Sequence, residues 1–213
     1  MIAAVVPVKA LSASKSRLLP QLGAEGARRF CLAMLGDVLE TLLAVPGLAR
    51  VAVVTPDVTV AETARAAGAE ALLRREPGLN PAVEAAAAEF APGPQDGVLV
   101  VLGDVAGACA ADVETLLARA PAHGVALAPS DDGGTAALLR VPRDVIPAGF
   151  GPGSAKVHRE LAERAGVEFR ELPLPSLCLD LDEPEDLEAF RNSPTGGPRT
   201  RALLREFEAD STR

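Results

Sequence analysis

The sequence predicts a single α/β domain, with a mostly parallel sheet, helices on both of its faces and an antiparallel insertion. Three observations carry that reading. Short apolar runs alternate with helix-periodic segments along most of the chain. The runs "MIAAVVPV" and "GVLVVL" are apolar throughout, as strands covered on both faces are. Two further runs, "GVALAPS" and "TAALLRV", flank "DDGG", a good hairpin turn.

Taken in order, "MIAAVVPV" is the buried first strand. In "EGARRFCLAMLGDVLETLLAV", Phe30, Met34, Leu35, Val38, Leu39 and Leu42 recur at helical spacing. "RVAVVT" is the second strand, "VAETARAAG" a short helix stopped at Gly68, and "AEALLRR" a weaker strand. "NPAVEAAAAEFA" is a helix with Asn80 as N-cap and Pro81 at its first position. "GVLVVL" follows, then "ADVETLLARA" as a helix and the hairpin around residues 124–141. "GSAKVHRELAERAG" is a helix ended by Gly166, "VEFREL" a strand, "SLCLDLD" another and "EPEDLEAFR" a helix. Residues 1–191 make up the domain on this reading. From residue 192 the chain turns rich in Pro, Gly, Thr and Arg, and 192–213 is expected to be a flexible C-terminal tail. Within it, "ALLREFEADSTR" either adds a short helix or stays loose.

With 213 residues, 48% of them hydrophobic, the chain can bury a sizeable core. A net charge of −8 argues against a nucleic-acid-binding surface. Cys31, Cys109 and Cys178 are odd in number and set among apolar residues, so reduced thiols are expected rather than a disulfide frame or zinc site. No run approaches a membrane span and no basic-then-apolar leader opens the chain, so a cytoplasmic protein without membrane partners is expected.

In an open α/β sheet, ligands bind beyond the carboxyl ends of the strands. The first strand is followed by "PVKALSASKSR", with Lys9, Lys15 and Arg17. "GVLVVL" is followed by "GDVAG", with Asp104, and "SLCLD" supplies Asp180 with Asp182 two residues on. One edge would thus carry a basic loop opposite three carboxylates. Such acids repel polyphosphate unless a divalent cation bridges them, and hard oxygen ligands suit Mg²⁺. Phosphoryl or nucleotidyl transfer is the chemistry this arrangement serves. Each residue also has a plainer reading: the cations as a solvated loop, Asp104 as a turn or cap residue, Asp182 as the N-cap before Pro184. The hairpin turn adds Thr135, and "FGPGSAKVH" places Gly151 and Ser154 before a helix whose free amides could receive an anion. Ser154 reads equally as an ordinary N-cap, and His158 as a surface histidine without an acid–base role. Neither "GxxxxGK[ST]" nor a "GxGxxG" opening the first helix occurs.

As an ordered set, "VPVKALSASKSRL", "GLNPAV", "VLGD", "GGTAALL", "FGPGSAKVH" and "LDLDEPEDL" resemble the 2-phospho-L-lactate / phosphoenolpyruvate guanylyltransferases of coenzyme F-420 biosynthesis, over residues 2 to about 190. The resemblance implies a single-domain GT-A-like nucleotidyltransferase fold, GTP as donor, Mg²⁺ as cofactor and a small phosphorylated carboxylic acid as acceptor. It implies that Lys9, Lys15 and Arg17 contact the triphosphate and Asn80 the nucleotide, with Lys9, Lys15 and Asp104 catalytic. Asp104, Asp180 and Asp182 would hold the metal, and Thr135, Gly151 and Ser154 the acceptor. A homodimer, and hand-over of product to the next enzyme of the pathway, are the further partners it leaves open. Two positions depart from the family pattern. "GDVAGACAAD" is small and flexible where Leu-Pro usually follows "GD", and Ala136 stands where "GGTNAL" has Asn.

The rival readings are another nucleotidyltransferase of the same fold or a non-catalytic nucleotide-binding subunit. Molybdenum-cofactor and sugar-phosphate nucleotidyltransferases share a glycine-rich first loop, and "PVKALSASKSRL" contains no glycine.

Overall fold

The computed structural model describes residues 1–13, 18–75 and 78–211. Seven strands form one sheet: β1 (Ile2–Pro7), β2 (Arg50–Thr55), β3 (Glu70–Leu73), β4 (Gly97–Val101), β5 (Gly124–Pro129), β6 (Thr135–Val141) and β7 (Glu168–Glu171), in spatial order β3-β2-β1-β4-β6-β5-β7. β1 pairs parallel with β2 and β4, β2 with β3, and β5 with β7. β6 runs antiparallel between β4 and β5, which is the expected antiparallel insertion. The expected α/β domain is therefore the one observed.

Alternation along the central strands explains the two layers. Ala4 and Val6 of β1 face one core with α1 (Leu19–Leu43), α2 (Val58–Ala66) and α4 (Ala110–Ala118). Ala3 and Val5 face the other, with α3 (Leu79–Phe90) and α5 (Ser154–Ala165). Among the described residues, no helix is long and apolar enough to cross a membrane. Cys31, Cys109 and Cys178 are all free thiols.

Three expectations are corrected here. "SLCLDLD" is not a strand: residues 176–182 pair with no ladder. The N–H donors of this segment turn to other partners. Ser176 N–H instead donates to Asp112 Oδ2 at 2.9 Å, and the apolar residues Leu177 and Leu181 are buried against helices and loops. Nor does Asn80 cap its helix; α3 starts two residues earlier, at Leu79, with Gly78 at the N-cap in a φ of 101°.

The third correction concerns the end of the chain. Residues beyond α6 (Pro184–Asn192) form a helix, α7 (Pro198–Ser211), docked on α1 rather than a loose tail. Leu203 and Leu204 join Phe30, Met34, Leu187 and Phe190 in a third apolar cluster. Buried Asp37 of α1 receives the first α7 amides, Arg199 N–H at 3.0 Å and Thr200 N–H at 2.9 Å, together with the Thr200 hydroxyl at 2.6 Å. A carboxylate from a neighbouring helix thus does what an N-cap does within one.

Candidate active site

The carboxyl ends of β1, β4 and β5 and the start of β6 open on a cavity of about 500 Å³. That volume suits a ligand of nucleotide or metabolite size. Its rim and walls bring together residues far apart in sequence. Lys9 follows β1, and Gly103 and Asp104 follow β4. Asp132, Gly134 and Thr135 come from the β5–β6 turn; Phe150, Gly151 and Ser154 lead into α5, and Asp180 and Asp182 precede α6.

Seven of the ten expected site residues are therefore assembled: Lys9, Asp104, Thr135, Gly151, Ser154, Asp180 and Asp182. Lys15 and Arg17 lie outside the described residues. Asn80 is the exception, since it does not line the cavity. Its amide clamps the backbone of Phe150 from both sides, donating to the carbonyl at 3.0 Å and accepting from the N–H at 2.8 Å. Its contribution is to hold the loop that forms one wall.

The paired aspartates flank a fully buried Leu181, so the segment is pinned inward at its middle and both carboxyls remain at the cavity. No strand is needed for that. The alternative role for Asp182 also falls away, because Glu183 is the N-cap of α6 and completes a capping box with Asp186. Cys109, not Asp104, precedes α4 as its N-cap.

Asp132 was not singled out by the sequence, where it reads as a turn residue. In the fold it lines the cavity, its Oδ1 accepting from Ser130 Oγ at 2.6 Å and Gly134 N–H at 2.8 Å. These bonds hold its carboxyl below the usual carboxylate range. A Cβ on Gly134 would come within 2.6 Å of Ser130 Oγ and 2.8 Å of Asp132 Oδ1, so a larger residue here would displace the bonded Ser130–Asp132 pair. The available signal was the pattern "SDDGG", in which a Ser and an Asp can bond across a turn.

Burial first, then the charges of Asp104, Asp132 and Asp182, push the Asp180 carboxyl up to about 6. Oxygen donors under mutual repulsion favour a hard cation. Among the described residues, however, no three His, Cys, Asp or Glu side chains lie close enough to cage an ion by themselves. Mg²⁺ is commonly held by one or two carboxylates with substrate phosphates and water, so the donor set fits an ion completed by its ligand.

Thr135 and Ser154 also line the cavity, buried and hydrogen-bonded to each other at 3.0 Å. Ser154 is not an N-cap; Gly153 holds that position in the left-handed region, φ 66°. Nor are the first α5 amides free for an anion. Ser154 N–H donates to Gly151 O at 3.1 Å and Ala155 N–H to Gly133 O at 3.3 Å, so the loop satisfies them internally. Gly151 has φ 149°, and a Cβ there would meet no protein atom, only the open cavity. His158, expected at the surface, is fully buried, and burial with the nearby Arg140 charge lowers its pKa to about 4.

The small loop after Asp104 is packed rather than flexible. Val105 and Ala106 are buried, and the Gly196–Gly197 backbone passes so close to Ala106 and Gly107 that a Cβ on either glycine would clash. Ala136 lies in the core under α1, away from the cavity lining.

Comparison with known proteins places this site in context. A phosphoenolpyruvate guanylyltransferase from Sphaerobacter thermophilus is 39% identical over 196 residues, 91% of this chain and 94% of the relative. A 3-phospho-D-glycerate guanylyltransferase from Colwellia psychrerythraea is 33% identical over 193 residues, 89% of this chain and 92% of that one. Among solved structures, a nucleotidyl transferase from Methanothermobacter thermautotroptrophicus shares the fold with a TM-score of 0.66 at 20% identity, covering 97% of this chain and 99% of that one. Residues 2–208 match the family described as "Guanylyl transferase CofC like", well past the point where the sequence resemblance was expected to stop, and the chain belongs to that family.

Proposed function

We propose that the protein transfers GMP from GTP to a small phosphorylated carboxylic acid, with phosphoenolpyruvate as the first acceptor and 2-phospho-L-lactate as its close relative. The observation that carries this is the lining of one cavity in a CofC-family chain, which brings together Lys9, four carboxyls and the Thr135–Ser154 hydroxyl pair. Lys9, with Lys15 and Arg17 of the same loop, binds the triphosphate. Asp104, Asp180 and Asp182 hold Mg²⁺, which when bound neutralises charge on the phosphates. Thr135, Gly151 and Ser154 hold the acceptor, and Asn80 acts through the Phe150 backbone.

An oxygen of the acceptor phosphate attacks the α-phosphorus of GTP. The bond from that phosphorus to the bridging oxygen breaks, and pyrophosphate leaves with the bonding pair. The attacking oxygen is already ionised at neutral pH, so the residues supply orientation and charge rather than a general base. The product goes to the next enzyme of coenzyme F-420 biosynthesis in the cytoplasm.

The test is pyrophosphate release from GTP with Mg²⁺, comparing phosphoenolpyruvate, 2-phospho-L-lactate and 3-phosphoglycerate, with ATP and CTP as controls. Release is expected with GTP and phosphoenolpyruvate and should stop when EDTA removes the metal. Folded protein that is silent with every acceptor would overturn the reading.

A further inference from the structure

Two buried hydroxyls facing an anion are useful only if at least one hydrogen points at it. The structure supplies a device for that beneath the cavity floor. The backbone N–H of Gly149 donates to His158 Nε2 at 3.0 Å. Nε2 therefore carries no proton, and a neutral imidazole must carry its proton on Nδ1. The buried setting that keeps this ring neutral is apolar on one side, with the Phe150 ring edge-on at 5.0 Å, and cationic on another, with Arg140 nearby.

Nδ1 lies 3.1 Å from Thr135 Oγ1, so the direction of that bond follows: His158 donates and Thr135 accepts. Ser154 Oγ donates to the same Thr135 oxygen at 3.0 Å. Both lone pairs of Thr135 are then used, and its own hydrogen has no partner within the triad. Reversing the Thr135–Ser154 bond leaves the Ser154 hydrogen over instead. Either way one hydroxyl hydrogen of the pair is surplus, and both residues line the cavity. With the opposite tautomer Thr135 would donate back to Nδ1, Ser154 to Thr135, and the pair would present only lone pairs to an anion.

We infer that His158 is a positioning residue which, by keeping its proton on Nδ1, makes the Thr135–Ser154 pair an obligate hydrogen donor to a phosphate or carboxylate oxygen of the acceptor. It rests on the acceptor assignment proposed above. The ring is itself held by the Gly149 amide, and that loop is braced by Asn80 on Phe150 and by Glu84, whose Oε1 accepts from Ala148 N–H at 2.6 Å and from buried Arg140 at 2.8 Å. The proton's position is therefore set by backbone geometry.

Two substitutions separate donation from space-filling. His158→Asn keeps an N–H at the position of Nδ1 and loses the acceptor for Gly149. His158→Gln keeps an acceptor at the reach of Nε2 and loses the donor to Thr135. The expected result is a rise of roughly tenfold in KM for phosphoenolpyruvate in His158→Gln, with KM for GTP within about twofold, and a smaller change in His158→Asn. In Thr135→Val the further change His158→Gln should add nothing to the acceptor KM. Equal losses in Asn and Gln, parallel losses for GTP and acceptor, or additivity with Thr135→Val would overturn the inference.

The tautomer is read independently of turnover from imidazole ¹⁵N shifts of the full-length protein, with the His158→Gln sample separating His158 from His123. A proton on Nε2 would overturn the inference whatever the kinetics. A parent protein that neither binds nor turns over phosphoenolpyruvate would sink the functional reading instead; the ¹⁵N measurement would then decide the proton's position alone.

Discussion

At the scale of single residues, the site trades stability for charge. Asp180 sits among Asp104, Asp132 and Asp182 with its carboxyl raised to about 6, so near pH 7 it is ionised at a cost to the fold. Asp180→Asn should therefore unfold later in urea at pH 7 without divalent cations, by about 1–2 kcal/mol, while losing guanylyl transfer. An unchanged or lower midpoint would mean that the acids do not strain the site. His158 works in the other direction. Its folded pKa, about 4, lies below its ordinary 6.5, so the unfolded chain takes up the proton first as pH falls. The stability it contributes is whole above pH 6.5 and is lost progressively toward pH 4, about 2–3 kcal/mol in all. Urea midpoints across that window should fall more steeply for the parent than for His158→Gln.

At the scale of elements, buried capping and close backbone approach decide how the chain after α6 is placed. Asp37 accepts three hydrogen bonds from the start of α7. Asp37→Ala leaves those donors without their acceptor and should cost about 2–4 kcal/mol, with α7 becoming the first site of proteolysis. Asp37→Asn, which keeps an acceptor oxygen, should cost less. Gly197 has φ 67° and lies against Phe190 and the Ala106 carbonyl, so Gly197→Val combines strain with overlap and should lower the thermal midpoint by several degrees. Arg201 explains the rest of this corner: it stacks over Phe190 at 4.2 Å and donates to the carbonyls of Arg191, Ser193, Thr195 and Gly196. A glycine- and proline-rich stretch that reads as a loose tail is thus organised by one arginine. The order comes from contacts with Asp37, Ala106 and Phe190, none of which the local composition contains.

At the scale of the whole molecule, the third apolar cluster makes the C-terminal helix part of the cavity's support. Cys31 and Met34 line the cavity and also belong to the cluster that α7 closes. Ending the chain at Asn192 would expose Phe30, Met34 and Phe190 together. Expression of that truncation should yield aggregated or inactive protein, whereas a dispensable tail would leave soluble enzyme with parental turnover.

The parallel sheet and its antiparallel insertion follow from the sequence, because unbroken apolar runs and strong turn residues leave few other arrangements. So does the gathering of seven of the expected residues at one cavity, since the chain marks its strand ends with charge. The strand assigned to "SLCLDLD" failed because apolar periodicity reports burial, and Leu177 and Leu181 are buried without a ladder. The inward turn of His158 and the docking of α7 depend on partners 23 and 162 residues away, and the charge of Asp132 reaches Asp180 only in the fold. Charge repulsion, a proton's place on a ring and the capping of one helix by another are properties of distance, and only the folded chain brings those groups within reach.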